Sequence, residues 1–455
     1  MNKRRSNLYQ AIWDLEEKFP QHSMRIWLSK PKQLYAYLIP LSFIIFLYIA
    51  PNQLALGLFF ILNIIYLLVQ LFKLIVLIIG AFQKEEKTAL VSEKNLPIYT
   101  ILLPIYKEDS ILKNLVEAII KLDYPNHLLD VKLLIEADDF KTMEAIDNIV
   151  LPNYFEIIKI PIASPRTKPK ACNYGLKFAR GKYVVVYDAE DRPHPQQLKQ
   201  AVAKFAISNH KVICIQAKLN YYNRKENILT KLFAIEYGLL FNYTLLGLKK
   251  LGMPIALGGT SNHFILTKLE ELGAWDAFNV TEDADLGIRL YHEGYHTELI
   301  ESLTLEEAPI HLNAWIKQRA RWIKGHILTS LLHLKTAHNF TIKETLGIYL
   351  CLYLPNLIYL LLPIYLSLAL IILETNKFDL LWYINLGLGI IMPISYSIFI
   401  ILTKKWYDSI ICIIFIIFYQ CLLIISGIKA CWQIFTDPYR WDKTKHGVSK
   451  YLRED

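Results

Sequence analysis

Five stretches of this chain are almost free of charge: Leu34 to Ala50, Leu54 to Phe82, Leu346 to Leu373, Leu380 to Leu402 and Ile410 to Phe435. Each is long enough, as a helix, to cross roughly 30 Å of hydrocarbon. The first two, separated by a tight turn at Pro51-Asn52, read as a transmembrane hairpin over 34–82. An even number of crossings returns the chain to its starting side, so the segment before the hairpin and the long segment after it share one compartment. At 455 residues the chain exceeds what one hydrophobic core usually serves. It is 54% hydrophobic yet 20% charged, because the apolar residues crowd into the two ends around a middle of ordinary composition.

The net charge of +9 is dispersed, with clusters such as Lys3, Arg4, Arg5 and Lys404, Lys405 beside apolar runs. That placement follows the positive-inside rule and argues for a cytosolic middle segment rather than a nucleic-acid partner. A charged stretch from Met1 to Lys32 precedes the first apolar run, with no small-residue cleavage site after it, so a secretory leader is not expected. The six cysteines form no C-x-x-C and have no His at metal-ligand spacing, which points to reduced packing residues. If all three C-terminal stretches crossed, the basic tail from Tyr439 to Arg453 would end outside. One therefore stays on the near side: either the last, whose second half carries Lys429, Trp432 and Gln433, or the Leu346 stretch, broken at Pro355 or Pro363. The expected organisation is a cytosolic segment (1–33), a hairpin (34–82), a cytosolic domain (83–340), transmembrane and interfacial helices (341–436) and a basic tail (437–455). The chain is thus expected in the inner, cytoplasmic membrane, multi-pass, with lipid as a partner.

Within the middle segment, Tyr99 to Leu103, Val131 to Ile135, Phe155 to Ile160 and Tyr183 to Tyr187 have strand composition. Helical patterns at Ile111 to Lys121, Lys170 to Ala179 and Gln196 to Ile207 alternate with them. The pitch predicts an α/β fold with a mixed, mostly parallel sheet, whose ligands gather at the carboxyl ends of the strands.

Acidic residues stand where such a sheet presents them. After Tyr187 comes Asp188-Ala-Glu190-Asp191-Arg-Pro; residues two apart in extended chain face the same side, so Asp188 and Glu190 can hold Mg²⁺ or Mn²⁺, or form a solvated acidic turn. Asp191 is left to cap the helix after Pro195. Glu136-Ala-Asp138-Asp139 ends an earlier strand, where a carboxylate can accept from a nucleotide base or ribose, or simply make a turn. Arg166-Thr-Lys168-Pro-Lys170-Ala-Cys-Asn173 opens a helix and suits either a phosphate or a basic surface loop. Thr281-Glu282-Asp283-Ala-Asp285 is an ordinary helix start with Thr281 as N-cap, and equally a place for a general base at Asp283. On a helix, Gln318, Arg321 and Trp322 share one face, which makes either an active-site wall or a membrane-interface anchor.

Taken together and in this order, these motifs resemble those of a processive-type family-2 glycosyltransferase of the cellulose, chitin and hyaluronan synthase group. The family's first Asp, D-x-D, T-E-D and Q-x-x-R-W are matched by Asp138-Asp139, Asp188-Ala-Glu190, Thr281-Glu282-Asp283 and Gln318-Arg-Ala-Arg321-Trp322 across Pro97 to Lys324. The resemblance implies a GT-A fold and a UDP-hexose or UDP-N-acetylhexosamine donor held by Asp138, Asp139, Lys170, Asn173 and Arg321. It implies a metal at Asp188 and Glu190, a base at Asp283, and an acceptor site of Glu282, Gln318, Trp322 and Trp275. Gly258 to His263 falls at the family's Gly-containing acceptor loop. Glu190 replaces the second Asp of D-x-D, the chain shows fewer membrane segments than cellulose synthases, and their second-messenger-binding barrel is not expected in the stretch after the final helices. It is similar to compact bacterial synthase-like enzymes that share a C-terminal Trp-x-Lys-Thr-x-His-Gly, here Trp441 to Gly447. The expected activity is inverting, metal-dependent extension of a glycan, possible export subunits included among its partners. Single transfer to a lipid-linked acceptor is the alternative. A transporter or envelope docking protein is disfavoured, because transporters bury ionisable groups in their spans and here the acidic motifs lie outside them.

Overall fold

The computed structural model describes residues 3–28, 52–83, 91–334, 341–375, 380–441 and 446–453. The expected first membrane segment, Leu34 to Ala50, lies outside them. Eight strands form one sheet: β1 (Tyr99–Ile105), β2 (Leu129–Glu136), β3 (Phe155–Ile160), β4 (Tyr183–Val186), β5 (Arg192–Pro193), β6 (Val212–Tyr221), β7 (Asn262–Ile265) and β8 (His296–Glu306). Their order is β3-β2-β1-β4-β7-β6-β8-β5. β1 pairs parallel with β2 and β4, and β2 with β3. β7 runs antiparallel between β4 and β6, and β8 returns parallel to β6. The carboxyl ends of β1, β2, β4, β6 and β8 and the amino end of β7 therefore meet at one edge.

Every residue of β2 and β4 is buried, as befits strands covered on both faces. Leu102, Leu134, Val184 and Val186 point into one core with Ala171 and Cys172 of the helix Lys168–Leu176. Ile101, Leu133, Ile135 and Val185 point into the other, with Leu115 and Ile119 of Leu112–Ile120 and Leu198 of Gln197–Ile207. Gly175 is what lets the first helix settle: a Cβ there would stand 2.7 Å from the Leu134 methyls.

The N-terminal segment is part of this domain. Its helix Lys3–Lys18 lies on Lys168–Leu176, where Asn173 Nδ2 donates to the Ala11 carbonyl at 3.0 Å. Farther along, Met24 N–H donates to Asp276 Oδ2 at 2.7 Å, and the Arg25 guanidinium lies 4.7 Å over the Trp13 ring.

Among the described residues four helical spans are long and apolar enough to cross a membrane: Leu56–Ala81, Glu344–Leu362, Leu380–Thr403 and Cys412–Thr436. Neither Pro355 nor Pro363 breaks its helix, which runs Leu354–Thr375 behind a π turn at Tyr349–Tyr353. That turn holds residue 351, whose carbonyl the Pro355 ring would otherwise crowd. Ile410 to Phe435 becomes the single helix Cys412–Thr436, lying along Leu312–Leu334 through Ala430 against Ala320, Ile323 and Ile327. Its far face leaves Ile414, Phe418, Ile425, Ile428 and Trp432 exposed. All six cysteines are free thiols.

Candidate active site

The sheet edge opens into a cavity of about 1110 Å³ whose wall includes Asp188, Glu190, Glu282, Asp283, Gln318, Arg321 and Trp322. The cavity thus gathers the D-x-E, T-E-D and Q-x-x-R-W residues from segments far apart in sequence. β4 delivers Asp188 and Glu190 because it ends at Val186 and the chain turns sharply: Asp191 Oδ2 accepts from the Asp188 N–H at 2.7 Å and from the Thr260 hydroxyl. Asp191 therefore fastens its own turn and does not cap the next helix, whose N-cap position is Gln196. Its Oδ2 is held locally because Thr260, from the loop before β7, reaches it, while Oδ1 is buried with no hydrogen-bond partner among the described residues.

Thr281 occupies the N-cap position of Glu282–His292, but its hydroxyl makes no cap bond. It turns instead toward Thr329 Oγ1 at 3.3 Å and Asn279 Oδ1 at 3.4 Å. Gly325 makes room for this: a Cβ there would lie 2.4 Å from the Thr281 methyl. The T-E-D helix is thereby seated against the helix that carries Gln318, Arg321 and Trp322. Asp283 Oδ1 accepts from the Ala284 N–H at 2.7 Å, and its Oδ2 faces Gly259, where a side chain would come within 3.4 Å. Trp322 packs on Tyr237 and Phe233, and the Arg321 guanidinium lies 4.5 Å over the Trp441 ring. Gln318 Oε1 and Arg321 Nε are buried with no hydrogen-bond partner among the described residues, as groups awaiting a polar ligand are.

Three further members of this wall had no individual role in the sequence reading, although Lys168 lay in the basic motif that opens a helix and His446 in the C-terminal Trp-x-Lys-Thr-x-His-Gly. Lys168 Nζ pairs with Asp188 and donates to the Gly259 carbonyl at 2.5 Å, joining β4 to the β7 loop. Glu306 stands at the end of β8, and the same strand-end rule that located Asp188 applies to it. His446 Nε2 lies 3.3 Å from Glu190 Oε1, brought there by a tail whose Gly447, Val448 and Ser449 N–H groups all donate to Glu307.

The electrostatics are those of crowded carboxylates. Burial raises Glu190 well above the usual range, with Asp188 and Glu108 adding to it. Burial raises Glu306 likewise, reinforced by Asp191, Glu190 and Asp188. Glu282 is pushed up to about 8 by burial and then by the Asp283 charge. Asp283 is raised by burial, against the Ala284 N–H, Lys168 and Arg321. Burial opposes the charge on Lys168, but Asp188 and Glu282 outweigh it and hold the ammonium.

The remaining expected residues lie around the cavity rather than on its wall. Asp139 caps the helix Phe140–Asp147, its carboxylate taken by the Lys107 and Thr142 N–H groups and the Thr142 hydroxyl. Asp138 pairs with Arg166 at 2.6 Å, leaving Oδ1 without a partner among the described residues. Lys170 is fully buried against Glu136 at 2.7 Å. Asn173 bonds the Trp275 backbone through both its amide groups, and Trp275 is buried edge-on to Phe264.

Residues 183–425 match the family described as glycosyl transferase family group 2. The chain belongs to that family. The match runs from β4 to the last long helix and so contains Asp188, Glu190, Asp283 and Arg321, while residues 100–265 match glycosyl transferase family 2. Among curated relatives, the probable glycosyltransferase YdaM of Bacillus subtilis is 26% identical over 239 residues, 51% of this chain and 56% of that protein. The probable glucomannan 4-beta-mannosyltransferase 15 of Arabidopsis thaliana is 24% identical over 263 residues, 55% of this chain and 48% of that protein. The chain spans about half the length of these curated relatives. Among solved structures, a mannosyltransferase of Pyrobaculum calidifontis in complex with GDP-Man and Mn²⁺ superimposes with a TM-score of 0.55 at 17% identity, covering 83% of this chain and 99% of that one. That likeness shows the fold, and this family-2 glycosyltransferase has the GT-A architecture: a mixed α/β sheet with apolar helices flanking it.

Proposed function

We propose that this glycosyltransferase moves a hexosyl or N-acetylhexosaminyl unit from a nucleotide-diphosphate sugar to an acceptor hydroxyl with inversion, extending a glycan on the cytosolic face of the membrane. The observation that carries this is one cavity whose wall includes Asp188, Glu190, Asp283, Gln318, Arg321 and Trp322. Asp283 takes the proton from the acceptor hydroxyl as its oxygen attacks the anomeric carbon. The bond from that carbon to the diphosphate breaks, and the nucleotide diphosphate leaves with the electron pair toward Arg321. Trp322 offers an indole edge to the acceptor sugar and Gln318 Oε1 an acceptor for one of its hydroxyls.

A divalent cation fits Asp188 and Glu190. Glu190 and Glu306 are held far up in pKa by burial and by their acidic neighbours, an imbalance that a hard cation with oxygen ligands relieves. Mg²⁺ or Mn²⁺ held by Asp188 and Glu190 would neutralise the departing diphosphate. For the donor's base and ribose, Asp138 is the better acceptor than Asp139, whose oxygens already serve its helix cap. Lys170, Asn173 and Trp275 act indirectly, Lys170 by holding Glu136 and Asn173 by fixing the Trp275 loop.

Two contacts support a membrane arrangement. Residues 3–28 pack on the domain, so an even number of crossings separates them from it. Tail residues 446–453 also pack on the domain, so the helices between 341 and 436 cross an even number of times. We assign Leu354–Thr375 and Leu380–Thr403 as the crossing pair and Cys412–Thr436 as the interfacial helix. The cavity continues past Trp322 between these helices along Leu62, Leu357, Leu361, Leu386 and Ile390, and this apolar extension favours a second reading, a lipid-linked acceptor.

The test is purified full-length protein in lipid with radiolabelled UDP-hexoses, UDP-N-acetylhexosamines and GDP-mannose, the last included because relatives are named for mannosyl transfer. A ladder of products supports glycan extension, a single addition supports the second reading, and no transfer from any donor contradicts both.

A further inference from the structure

Away from the sugar site, four ionisable side chains converge where the N-terminal segment meets the far end of the T-E-D helix. The turn Pro20–His22 inserts His22, 1% exposed, with both ring nitrogens buried and without a hydrogen-bond partner among the described residues. A buried imidazole so placed either costs stability or awaits a ligand. One ligand atom each from His22, His292 and Glu293 lies within 4.8 Å of the others, the metal-competent cluster found among the described residues.

One distance matches metal geometry. His292 Nδ1 and Glu293 Oε1 are 3.3 Å apart, and donors on a tetrahedral site with bonds of about 2.1 Å stand about 3.4 Å apart. His333, its ring 5.6 Å from that of His22, binds Asp285 Oδ1 through Nε2 at 2.9 Å, the carboxylate-imidazole arrangement that orients histidine ligands. Arg289 does not compete for the position, since its guanidinium is engaged by the Leu272 and Ala274 carbonyls and by Asp285. The cluster is reachable, with 37% of the Glu293 side chain and 12% of His292 open to solvent.

The geometry points to a zinc site formed by His22, His292 and Glu293, with His333 beside it as the fourth candidate ligand. Its nitrogen-rich donor set selects a borderline cation such as Zn²⁺, in contrast to the all-oxygen pair Asp188 and Glu190. Occupancy ties the N-terminal segment to the helix whose other end carries Asp283, and so stabilises the domain by linkage. The site does not depend on the sugar-transfer reading.

The experiment uses the full-length chain, stripped of metal and held in excess Mg²⁺ so that oxygen sites are filled. Zn²⁺ is titrated with metal analysis after dialysis, and Co²⁺ serves as the spectroscopic probe. One retained Zn²⁺ per chain is expected, with intense tetrahedral Co²⁺ bands that Zn²⁺ displaces and a rise in unfolding temperature. Glu293→Gln, on the exposed rim, weakens Zn²⁺ on the order of tenfold while leaving the metal-free unfolding temperature unchanged. Asp188→Asn leaves Zn²⁺ binding intact. Absence of retained Zn²⁺, a weak octahedral Co²⁺ spectrum, or binding indifferent to Glu293→Gln would each overturn the assignment.

Discussion

Glu282 and Asp283 are adjacent carboxylates given different tasks in the proposed reaction, and their surroundings separate them. Glu282 is buried and raised to about 8, so below that pH it carries the proton while Asp283, half-buried beside Gly259, accepts one. Asp283→Asn is expected to lower kcat by about a thousandfold with donor KM nearly unchanged, measured by nucleotide-diphosphate release. Glu282→Gln mimics the protonated form and retains activity within a few fold. Because burial raises Asp283 above its ordinary 3.8, kcat rises with pH through that raised value, and the acid limb of the rate profile lies above that of a free aspartate. The same burial has a stability consequence. A carboxyl raised in the folded state contributes fully below its unfolded value near 4.5, and that contribution is lost as pH climbs toward about 8. The Tm of the metal-free protein should therefore fall over this window, and less steeply in Glu282→Gln. Most of this wall was legible from the sequence, since a carboxylate after a run of strand residues marks the ligand edge of a parallel sheet. Asp139 was not separable from Asp138, and Asp191, though set apart from Asp188 and Glu190, was given the wrong partner, because whether a carboxylate faces ligand, caps a helix or ties its own turn depends on Thr142 and Thr260 reaching it.

At the scale of elements, two glycines join the first described membrane helix to the catalytic domain. A Cβ on Gly80 would lie 1.9 Å from the Tyr243 carbonyl oxygen, and one on Gly247 2.0 Å from that of Val76. Backbone meets backbone there and neither segment can yield, so Gly80→Ala should destabilise by about 1–3 kcal/mol. Gly57→Ala, with nothing within 4 Å, should be neutral or stabilising by up to about 1 kcal/mol. Thermal unfolding of both variants in one detergent checks the contrast. The parallel strands β1 to β4 were readable because each holds a short run rich in Val, Ile and Leu, unbroken in the doubly covered β4 and interrupted by the exposed Glu156 and Lys159 in the edge strand β3. β7 was not: Asn262–Ile265 is short, and it is a strand because β4 and β6 leave a gap for it. Nor was the packing of Lys3–Lys18, an arrangement set by Asn173 and Asp276 far along the chain.

Across the whole molecule, the apolar helices and the sheet line a common cavity, whose wall includes both the charged residues around Asp188 and Asp283 and apolar ones such as Leu361 and Ile390. The sequence showed both parts but not their junction, because the tail that brings Trp441 and His446 to the site is positioned by Glu307 and Glu226, on other segments. Replacing Glu307 with Gln removes the charge that three successive N–H groups share. It is expected to lower kcat severalfold and to leave the fold intact, as circular dichroism would verify. The central claim is that a cation at Asp188 and Glu190 and a base at Asp283 act together on a nucleotide sugar. The most direct measurement is transfer of radiolabel by the purified full-length protein, with Mn²⁺ and with chelator, in the wild type and in Asp283→Asn. Transfer that needs Mn²⁺ and falls about a thousandfold in Asp283→Asn is the predicted result; transfer that survives chelation or proceeds undiminished in Asp283→Asn would contradict it.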